Sequence, residues 1–564
     1  MISDKKHIQQ LASLLLQKGI TNVVISPGSR NAPLINTFSG LPEFSCVNIV
    51  DERSAAYFAL GLALEIKKPV VVICTSGTAA INYGPAIAEA FYQKIPLVVV
   101  TADRPRRWID QADGQTVRQE NLFANHALKS VNLQETDRPD DFRLNNLLIN
   151  KALNLTLSSN SGPVHINIPL DEPLYGLTES ELPSFRNIRQ TKSDQHIALP
   201  ELKKLADRWN ASAKKMVIVG QLSPDEELNE LVRQLAEDTG TIILSEHITN
   251  LHSPHLIKIT DPAIAAIPKD NNSDFQPDIL LTFGQQIISK RLKLFVRANK
   301  PAEHWHISAK AEHTDTYNSL SEVIATDAFS FLKDFVPVVK NTKSTYREAW
   351  KALEKKAFQL QDNYLAEAPF CDLTASRLIA SQIPEQSVVH LGNSSSVRLM
   401  QMFFPVNGVS YFGNRGTSGI DGSLSTAVGF AGSSEKINSI ILGELSFFYD
   451  SNALMIKHFS SNLRIIVLNN GGGNIFRLIG GPRHSPALIE HFVAEHDYKA
   501  EGLAKAFCIP YLKAENLKEL SDSLNTIFAP GFSGPVILEV LTNGELSAQV
   551  FQDCFIRIGS NEKH

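Results

Sequence analysis

Short, continuous apolar runs alternate with helix-like patterns along the whole chain, and this alternation constrains the fold more than any other feature. A run without polar alternation is typical of a strand that helices cover on both faces, as in a parallel sheet. The runs fall into three groups: NVVIS, VVVICTS, LVVVTA and VHINI; then MVIVG, IILSE, DILLTFG and HWHIS; then SVVHLGN, SIILGELS, IIVLNN and VILEVLT. The sequence therefore predicts an α/β protein with three doubly wound parallel sheets.

Two polar stretches without a clear period, 172–198 and 336–346, interrupt this rhythm and are interpreted as linkers. They predict domains at 1–185, 190–335 and 345–564, a number that suits a chain of 564 residues. The tetrapeptide Ser-Gly-Pro-Val opens a strand at Ser161 and again at Ser533. This repeat favours a structural relationship between the first and third domains.

Composition excludes several classes of protein. Fifty-four Lys and Arg face 59 Asp and Glu, so a net charge of −5 gives the chain no overall attraction to nucleic acid. No apolar run reaches the length of a membrane span, and the N-terminus is typical of an amphipathic helix rather than a signal peptide. Five scattered cysteines without a CxxC pair indicate thiols in a reducing compartment, hence a cytoplasmic protein.

Two strand ends in the last third carry metal-binding side-chain types. Glu444 directly follows the run SIILG, and Asn470 ends the run IIVLNN before three glycines. Parallel strands present their carboxyl ends at one edge of the sheet, where a carboxylate and an amide could share Mg²⁺ with substrate phosphates. A helix beginning after Ser446 would add N–H donors for those phosphates. A strand-end acid and a glycine-rich turn without a ligand is the alternative.

This pattern of Gly-acid followed by Asn-Asn resembles the motif of thiamine diphosphate (ThDP) enzymes. The resemblance implies Mg²⁺ or Mn²⁺ bound by Glu444, Asn470 and the Gly472 carbonyl, with Leu445 and Ser446 beside the cofactor. Two departures are visible. The family usually has Asp in place of Glu444, and the interval of 470 − 444 = 26 residues is about one shorter than usual. A longer side chain and a shorter loop could compensate each other.

The first third resembles the pyrimidine-binding domain of the same superfamily. The similar segments are TSGTA at 75–79, TADRP at 101–105 and SGPVHINIPLDEP at 161–173. The resemblance implies that Glu52 exchanges a proton with the aminopyrimidine ring of the cofactor. It also implies that Ile420 is the apolar side chain under the bent cofactor. The three domains would then be pyrimidine-binding, central and diphosphate-binding.

Five further stretches are similar to the 2-succinyl-5-enolpyruvyl-6-hydroxy-3-cyclohexene-1-carboxylate synthase family of menaquinone biosynthesis. They are SPGSRNAPL, DER, GNSSSVR, NRGTSGIDG and GNIF, which begin at residues 26, 51, 392, 414 and 473. The resemblance implies decarboxylation of 2-oxoglutarate and conjugate addition of the remaining four carbons to isochorismate. It also implies a homodimer or homotetramer, because the two domains that meet at one cofactor belong to different chains in this superfamily.

Two dicarboxylate substrates require several fixed cations, preferably arginines that grip carboxylates with both nitrogens. By resemblance, the catalytic residues are Glu52, Arg30 and Gln115. The resemblance also implies substrate-binding residues, with Ser394 contacting the cofactor as well: Ser29, Arg30, Arg104, Lys290, Arg291, Ser394, Arg398 and Arg415. Ile475 and Phe476 would pack near the thiazolium ring and exclude water.

Three alternatives remain. Another ThDP-dependent carboligase or decarboxylase, similar to acetolactate synthase, would share the cofactor motifs. A catalytically inactive regulatory subunit with this fold is favoured only by the unusual Glu444. A nucleotide-binding protein is disfavoured, because no Walker loop is present and no GxGxxG follows a strand in the right place.

Overall fold

The computed structural model describes residues 1–135, 138–191, 196–268, 272–457 and 459–560. Three six-stranded parallel sheets follow one another along the chain, with helices between their strands. The predicted α/β class with three doubly wound sheets is confirmed. Within the described parts of the chain, every helix is too short or too polar to cross a membrane.

The first sheet has the strand order β3-β2-β4-β5-β7-β6, while β1 and β8 form a separate antiparallel pair. The strands of the sheet and of this pair are β1 Ile2–Ser3, β2 Asn22–Ile25, β3 Ser45–Asn48, β4 Val70–Cys74, β5 Leu97–Asp103, β6 Lys129–Asn132, β7 Val164–Pro169 and β8 Leu177–Thr178. The helices are α1 Lys6–Gln17, α2 Ala32–Ser39, α3 Glu52–Ile66, α4 Thr78–Asn82, α5 Gly84–Gln93 and α6 Pro139–Thr156.

The central sheet has the order β11-β10-β9-β12-β13-β14. Successive strands are added outward from β9 on one side and from β12 on the other, as in doubly wound nucleotide-binding sheets. Its strands are β9 Lys215–Val219, β10 Thr241–Leu244, β11 Leu256–Ile257, β12 Ile279–Phe283, β13 Glu303–Ile307 and β14 Glu322–Ile324. The helices are α7 Leu199–Ala211, α8 Glu226–Leu235, α9 Thr260–Ala265, α10 Asn272–Phe275, α11 Lys290–Ala298 and α12 Ala328–Phe335.

The third sheet has the order β16-β15-β17-β18-β20-β19. Its strands are β15 Val388–Leu391, β16 Ser410–Phe412, β17 Asn438–Gly443, β18 Leu463–Asn469, β19 Tyr511–Ala514 and β20 Val536–Leu541. The helices are α13 Tyr346–Glu367, α14 Asp372–Gln382, α15 Ser395–Met400, α16 Ser423–Ala431, α17 Glu444–Tyr449, α18 Ile475–Leu478, α19 Glu501–Ala506, α20 Leu517–Ile527 and α21 Gly544–Gly559.

The first and third sheets have the same topology. Numbered from its own first strand, each sheet has the order 2-1-3-4-6-5. The repeated Ser-Gly-Pro-Val precedes β7 in one sheet and β20 in the other, which occupy the same place in that order. The predicted relationship between the two domains is therefore confirmed.

The chain forms two compact units. One contains residues 1–192, 414–438 and 446–463, and the other contains 193–413, 439–445 and 464–564. In the first unit, α3 packs closely on α16, and a side chain at Gly61 would overlap the Thr426 carbonyl oxygen. In the second unit, one continuous apolar core joins residues of the central and third sheets. The predicted domain boundaries remain predictions.

Both predicted linkers pack against domains over much of their length. In the first linker, Leu174 is buried, β8 pairs with β1, and Asn150 exchanges hydrogen bonds with the backbones of Arg186 and Ile188. In the second linker, Thr342 accepts a hydrogen bond of 2.6 Å from Lys215. Side chains of the domains therefore satisfy polar groups of the linkers. Residues 192–195 of the first linker lie outside the described residues.

Candidate active site

The Glu52 carboxylate lies at the start of α3, which the side chain of Asp51 caps by accepting a hydrogen bond of 2.9 Å from the Ser54 amide. Partial burial raises the pKa of Glu52 above its ordinary value. A hydrogen bond with its own backbone opposes this shift, and the charge of Asp51 adds to it. A carboxyl group with a raised pKa holds a proton more readily than an ordinary carboxylate, which suits it to proton exchange.

Arg30 and Arg104 follow the carboxyl ends of β2 and β5. Arg30 is 5% exposed, and its Nη1 donates to the Leu170 carbonyl at 3.0 Å and lies 3.2 Å from Glu172 Oε1. Arg104 Nη1 lies 3.4 Å from Asp113 Oδ2. Each guanidinium therefore already meets a carboxylate, the chemical group that the predicted substrates carry.

Ser29 and Gln115 are exposed and lie in the same loops as these arginines, which follow β2 and β5. Gln115 has a φ of 52°, and the space beside the Gly77 α-carbon is closed by the Gln115 backbone. The close backbone approach holds the loop of Gln115 against the loop that follows β4.

The other predicted substrate cations lie in the second compact unit. Ser394 precedes α15 with a φ of 69°, and Arg398 Nη1 donates a hydrogen bond of 2.5 Å to its carbonyl. Lys290 and Arg291 begin α11, and the Arg291 guanidinium lies 4.2 Å from the Phe555 ring centroid. Burial lowers the pKa of Arg398, while the nearby Asp261 and Glu246 carboxylates raise it.

Arg415 and Ile420 belong to the loop 414–422, which the buried side chain of Glu89 holds in place. Glu89 accepts hydrogen bonds from the Gly416 amide at 2.7 Å, the Thr417 amide at 2.7 Å and the Thr417 hydroxyl at 2.6 Å. Glu89 is 0% exposed and lies on α5. Arg415 adjoins Gly416 in this loop and is 5% exposed. Its position therefore depends on a buried carboxylate, Glu89, that no sequence motif indicates.

The predicted helix start after Ser446 is wrong. The helix α17 begins at Glu444, so Ser446 lies in its first turn and its hydroxyl donates a hydrogen bond of 2.6 Å to the Ile420 carbonyl. The chain turns into the helix directly at the end of β17. Leu445 is partly buried between these two residues.

The structure brings together the three predicted metal ligands. Glu444 is 2% exposed, and its Oε1 accepts a hydrogen bond of 2.8 Å from the Gly472 amide and lies 3.5 Å from His496 Nε2. Asn470 directly follows β18. Gly472 has a φ of 156°, and a side chain there would place Cβ 2.7 Å from the Val493 carbonyl oxygen. Only glycine fits this turn.

Asn470 presents an oxygen that lacks a protein partner. Its Nδ2 donates a hydrogen bond of 2.7 Å to Asp372 Oδ2, but its Oδ1 is buried without a hydrogen bond. Burial raises the pKa of Asp372, which hydrogen bonds from Thr542 and Asn470 oppose. A carboxylate, an unpartnered amide oxygen and a backbone carbonyl are the oxygen donors that Mg²⁺ prefers, so this set fits the implied metal.

No cluster of three or more His, Cys, Asp or Glu suited to a metal occurs among the described residues. A polar cavity of about 400 Å³ opens beside the strand ends, lined by Asn470, Asn474, Arg477, His496, Lys499, Thr542 and others. Ile475 and Phe476 begin α18 and are partly buried, with the Phe476 ring 5.6 Å from that of Phe492.

Comparisons with known proteins agree with this arrangement. Residues 6–127 match the family described as thiamine pyrophosphate enzyme, N-terminal TPP binding domain, and residues 186–391 match the middle domain of thiamine pyrophosphate. In the crystal structure of benzoylformate decarboxylase from Polynucleobacter necessarius, 99% of the chain superimposes on 96% of this one. The TM-score is 0.72 at 17% identity, a likeness of fold.

The fold and the matched domains define a ThDP-dependent enzyme. Two relatives are 2-succinyl-5-enolpyruvyl-6-hydroxy-3-cyclohexene-1-carboxylate synthases. That of Bacteroides thetaiotaomicron is 41% identical over 98% of this chain and 99% of its own, and that of Christiangramia forsetii is 42% identical over 97% and 98%. The chain belongs to this synthase family, as its motifs predicted.

Proposed function

We propose that this chain decarboxylates 2-oxoglutarate and adds the remaining four carbons to the ring alkene of isochorismate, the synthase reaction of menaquinone biosynthesis. The observation that carries the proposal is identity of about 40% with synthases over 97–98% of the chain. Such similarity extends over nearly the whole chain of each synthase as well as of this one.

When bound, ThDP supplies a nucleophilic carbon and an electron sink for decarboxylation. Glu52, whose pKa is raised by partial burial, would exchange a proton with the aminopyrimidine ring. Ile420 would support the bend of the cofactor. Ile475 and Phe476 would exclude water from its thiazolium ring.

The arginines bind the carboxylates of the two substrates. Arg30 and Arg415 are each 5% exposed, so their planar guanidinium groups are held by the fold before substrate arrives. Arg104, Lys290, Arg291 and Arg398 add charge, and Ser29, Gln115 and Ser394 add hydrogen bonds. An incoming carboxylate would replace Glu172 beside Arg30 and Asp113 beside Arg104.

Glu444, Asn470 and the Gly472 carbonyl would hold Mg²⁺ or Mn²⁺, which would neutralise the diphosphate of the cofactor. Leu445 and Ser446 lie beside that group at the start of α17. We also propose a homodimer or homotetramer with interfacial active sites, and a cytoplasmic location, which five free cysteines without a disulfide support.

A coupled assay tests the proposal: purified protein with ThDP and Mg²⁺ receives 2-oxoglutarate, isochorismate, both, or pyruvate. We expect CO₂ release from 2-oxoglutarate and a coupled product only when isochorismate is present. Turnover of pyruvate without isochorismate would instead support an acetolactate-synthase-like carboligase. ThDP binding without any CO₂ release would support an inactive regulatory subunit.

A further inference from the structure

We infer that Asp372, which belongs to none of the motifs, is a positioning residue that turns the amide oxygens of Asn470 and Asn474 toward the bound cation. The inference rests on the proposed function, because it concerns the same metal.

Asp372 is placed for this role by its burial and its contacts. It is 2% exposed and begins α14. Its Oδ2 accepts hydrogen bonds from Asn470 Nδ2 at 2.7 Å and, more weakly, from Asn474 Nδ2 at 3.5 Å. Its Oδ1 accepts from the Thr542 hydroxyl, and its backbone amide donates to Ser547 Oγ at 2.9 Å. Asp372 is therefore held through its backbone from α21 and through its side chain from the residue after β20, independently of the two asparagines.

An ionised carboxylate only accepts hydrogen bonds, so it distinguishes the two ends of an amide. Both asparagines must present their NH₂ groups to Asp372, and both amide oxygens then point away from it. Asn470 Oδ1 and Asn474 Oδ1 are buried without a hydrogen-bond partner. Two buried oxygens without a donor are unfavourable in the protein alone and are satisfied by a cation.

Among the described residues, Asp372 is the hydrogen-bond acceptor for Asn470 Nδ2, so its removal would leave the orientation of this amide unfixed. Rotation by 180° about its last torsion would present NH₂ to the cation and remove one of the few protein ligands of the metal. Partners that orient a metal ligand in this way typically contribute 10–100-fold in metal affinity. Asn474 shares the same carboxylate, so its oxygen is a second group directed by Asp372, toward the metal or its water shell.

The test compares Mn²⁺ affinity, measured by electron paramagnetic resonance with saturating ThDP, in full-length variants. We expect Asp372→Ala to weaken Mn²⁺ binding about 10–100-fold. Thr374→Val is the matched control: it removes the hydrogen bond of 2.9 Å from the Cys371 amide to Thr374 Oγ1 at the start of the same helix, but none to the Asp372 carboxylate or the asparagines, and its Mn²⁺ affinity should stay within about threefold of the parent. Equal weakening by both variants would indicate only local structural damage and would overturn the inference.

A paired exchange keeps the test decisive if Asp372→Ala does not fold. The double variant Asp372→Asn, Asn470→Asp reverses donor and acceptor, since the new amide at 372 can donate to the new carboxylate at 470. Asn470→Asp alone opposes two carboxylates and should bind Mn²⁺ more weakly than the double variant. The opposite order, or parent-like affinity in Asp372→Ala, would contradict the positioning role.

The coupled assay separates this inference from the proposed function. A parent that turns over both substrates while Asp372→Ala binds Mn²⁺ normally would refute only the role of Asp372. A parent that binds Mn²⁺ and ThDP but releases no CO₂ would refute the proposed function. Weakened Mn²⁺ binding by Asp372→Ala would still support the positioning role in that case.

Discussion

At the scale of single residues, the candidate site depends on carboxylates whose surroundings give them different tasks. Glu52 is partly buried at a helix start and has a raised pKa, which suits proton exchange. Glu444 and Asp372 are almost fully buried, and they accept hydrogen bonds from a backbone amide and a side-chain amide, respectively. The same chemical group thus serves as an acid–base residue in one place and as a ligand or a support in another.

Glu52→Gln should lower kcat about 10²–10⁴-fold, since the isosteric amide cannot exchange the proton. ThDP affinity and the melting temperature should change little. Glu65→Gln is the matched control, because Glu65 lies on the same helix and burial also raises its pKa. Steady-state kinetics and ThDP titration check this expectation, and near-normal turnover by Glu52→Gln would remove the assignment.

Glu444→Asp should weaken metal-dependent ThDP binding, although it introduces the residue usual in the wider superfamily. The Glu444 carboxylate reaches the Gly472 amide at 2.8 Å, and an Asp side chain is one methylene shorter. Mg²⁺ tolerates little displacement of its ligands. ThDP is titrated against Mg²⁺ and Mn²⁺ for both proteins. Tighter binding by the Asp variant with both metals would show that Glu is only tolerated.

At the scale of elements, buried polar contacts fix the loop 414–422 and the helix α16 that follows it. Glu89 on α5 holds the loop through Gly416 and Thr417. Asp450, just after α17, accepts hydrogen bonds from the amide and hydroxyl of Ser425 on α16, at 2.7 and 2.8 Å. The position of Arg415 therefore depends on groups that are distant in sequence.

Glu89→Gln should destabilise the loop, because an amide NH₂ cannot accept both backbone N–H bonds. Leaving one buried donor unsatisfied costs about 1–3 kcal/mol in unfolding free energy. We expect a lower melting temperature and at least about tenfold lower kcat/KM for the dicarboxylate substrates, since Arg415 is displaced. Thr417→Val removes only the hydroxyl contact and serves as the control. Unchanged kinetics for Glu89→Gln would show that the loop holds Arg415 without this carboxylate.

The stability of the protein should depend on pH through Asp450. Burial raises its pKa to about 7, although its hydrogen bonds from Ser425 oppose this. Because the pKa of Asp450 is higher in the folded than in the unfolded state, its contribution to the free energy of unfolding is complete below about pH 4 and is lost as pH rises through 7. Asp450→Asn should remove this loss of unfolding free energy, which is up to about 4 kcal/mol.

Melting temperatures of the parent and Asp450→Asn, measured from pH 4 to 8, test this. The difference in favour of the Asn variant should grow with pH. The control is Asp522→Asn, a change on the exposed face of α20, which should follow the parent. Parallel curves for the parent and Asp450→Asn would contradict the raised pKa.

At the scale of the whole molecule, the first and third sheets repeat one topology, while the central sheet has another. The residues assigned to the cofactor are divided between the repeated domains: Glu52 follows the first sheet's β3, and Asn470 follows the third sheet's β18. Two large apolar side chains are also exposed near Glu52 in this compact unit, Val50 at 58% and Tyr449 at 54%. Such side chains at a candidate active site favour burial by another chain.

Light scattering of the active protein should therefore give at least twice the mass of one chain. Val50→Asp and Tyr449→Asp together should weaken assembly and activity in parallel, since each introduces a charge into the expected interface. Ile556→Asp is the matched control, because Ile556 is 66% exposed on α21 in the other compact unit. A fully active monomer would contradict the proposed interfacial sites.

The sequence by itself determined the class of fold, the kinship of the outer domains and most candidate site residues. Continuous apolar runs specify buried parallel strands, and motif loops at strand ends keep their residue types close together in sequence. For this reason Glu444, Asn470 and Gly472 could be named together before their contacts were known.

Only the tertiary structure decided the start of α17 at Glu444 and the packing of both predicted linkers. It alone identified Glu89 and Asp372, which lie 327 and 98 residues from the groups that they hold. In the sequence, Glu89 is one acid in an alanine-rich helix, and Asp372 is an ordinary acid at a helix start. Their roles arise because folding buries each beside N–H groups that need an acceptor, and no local pattern records which distant donors those will be.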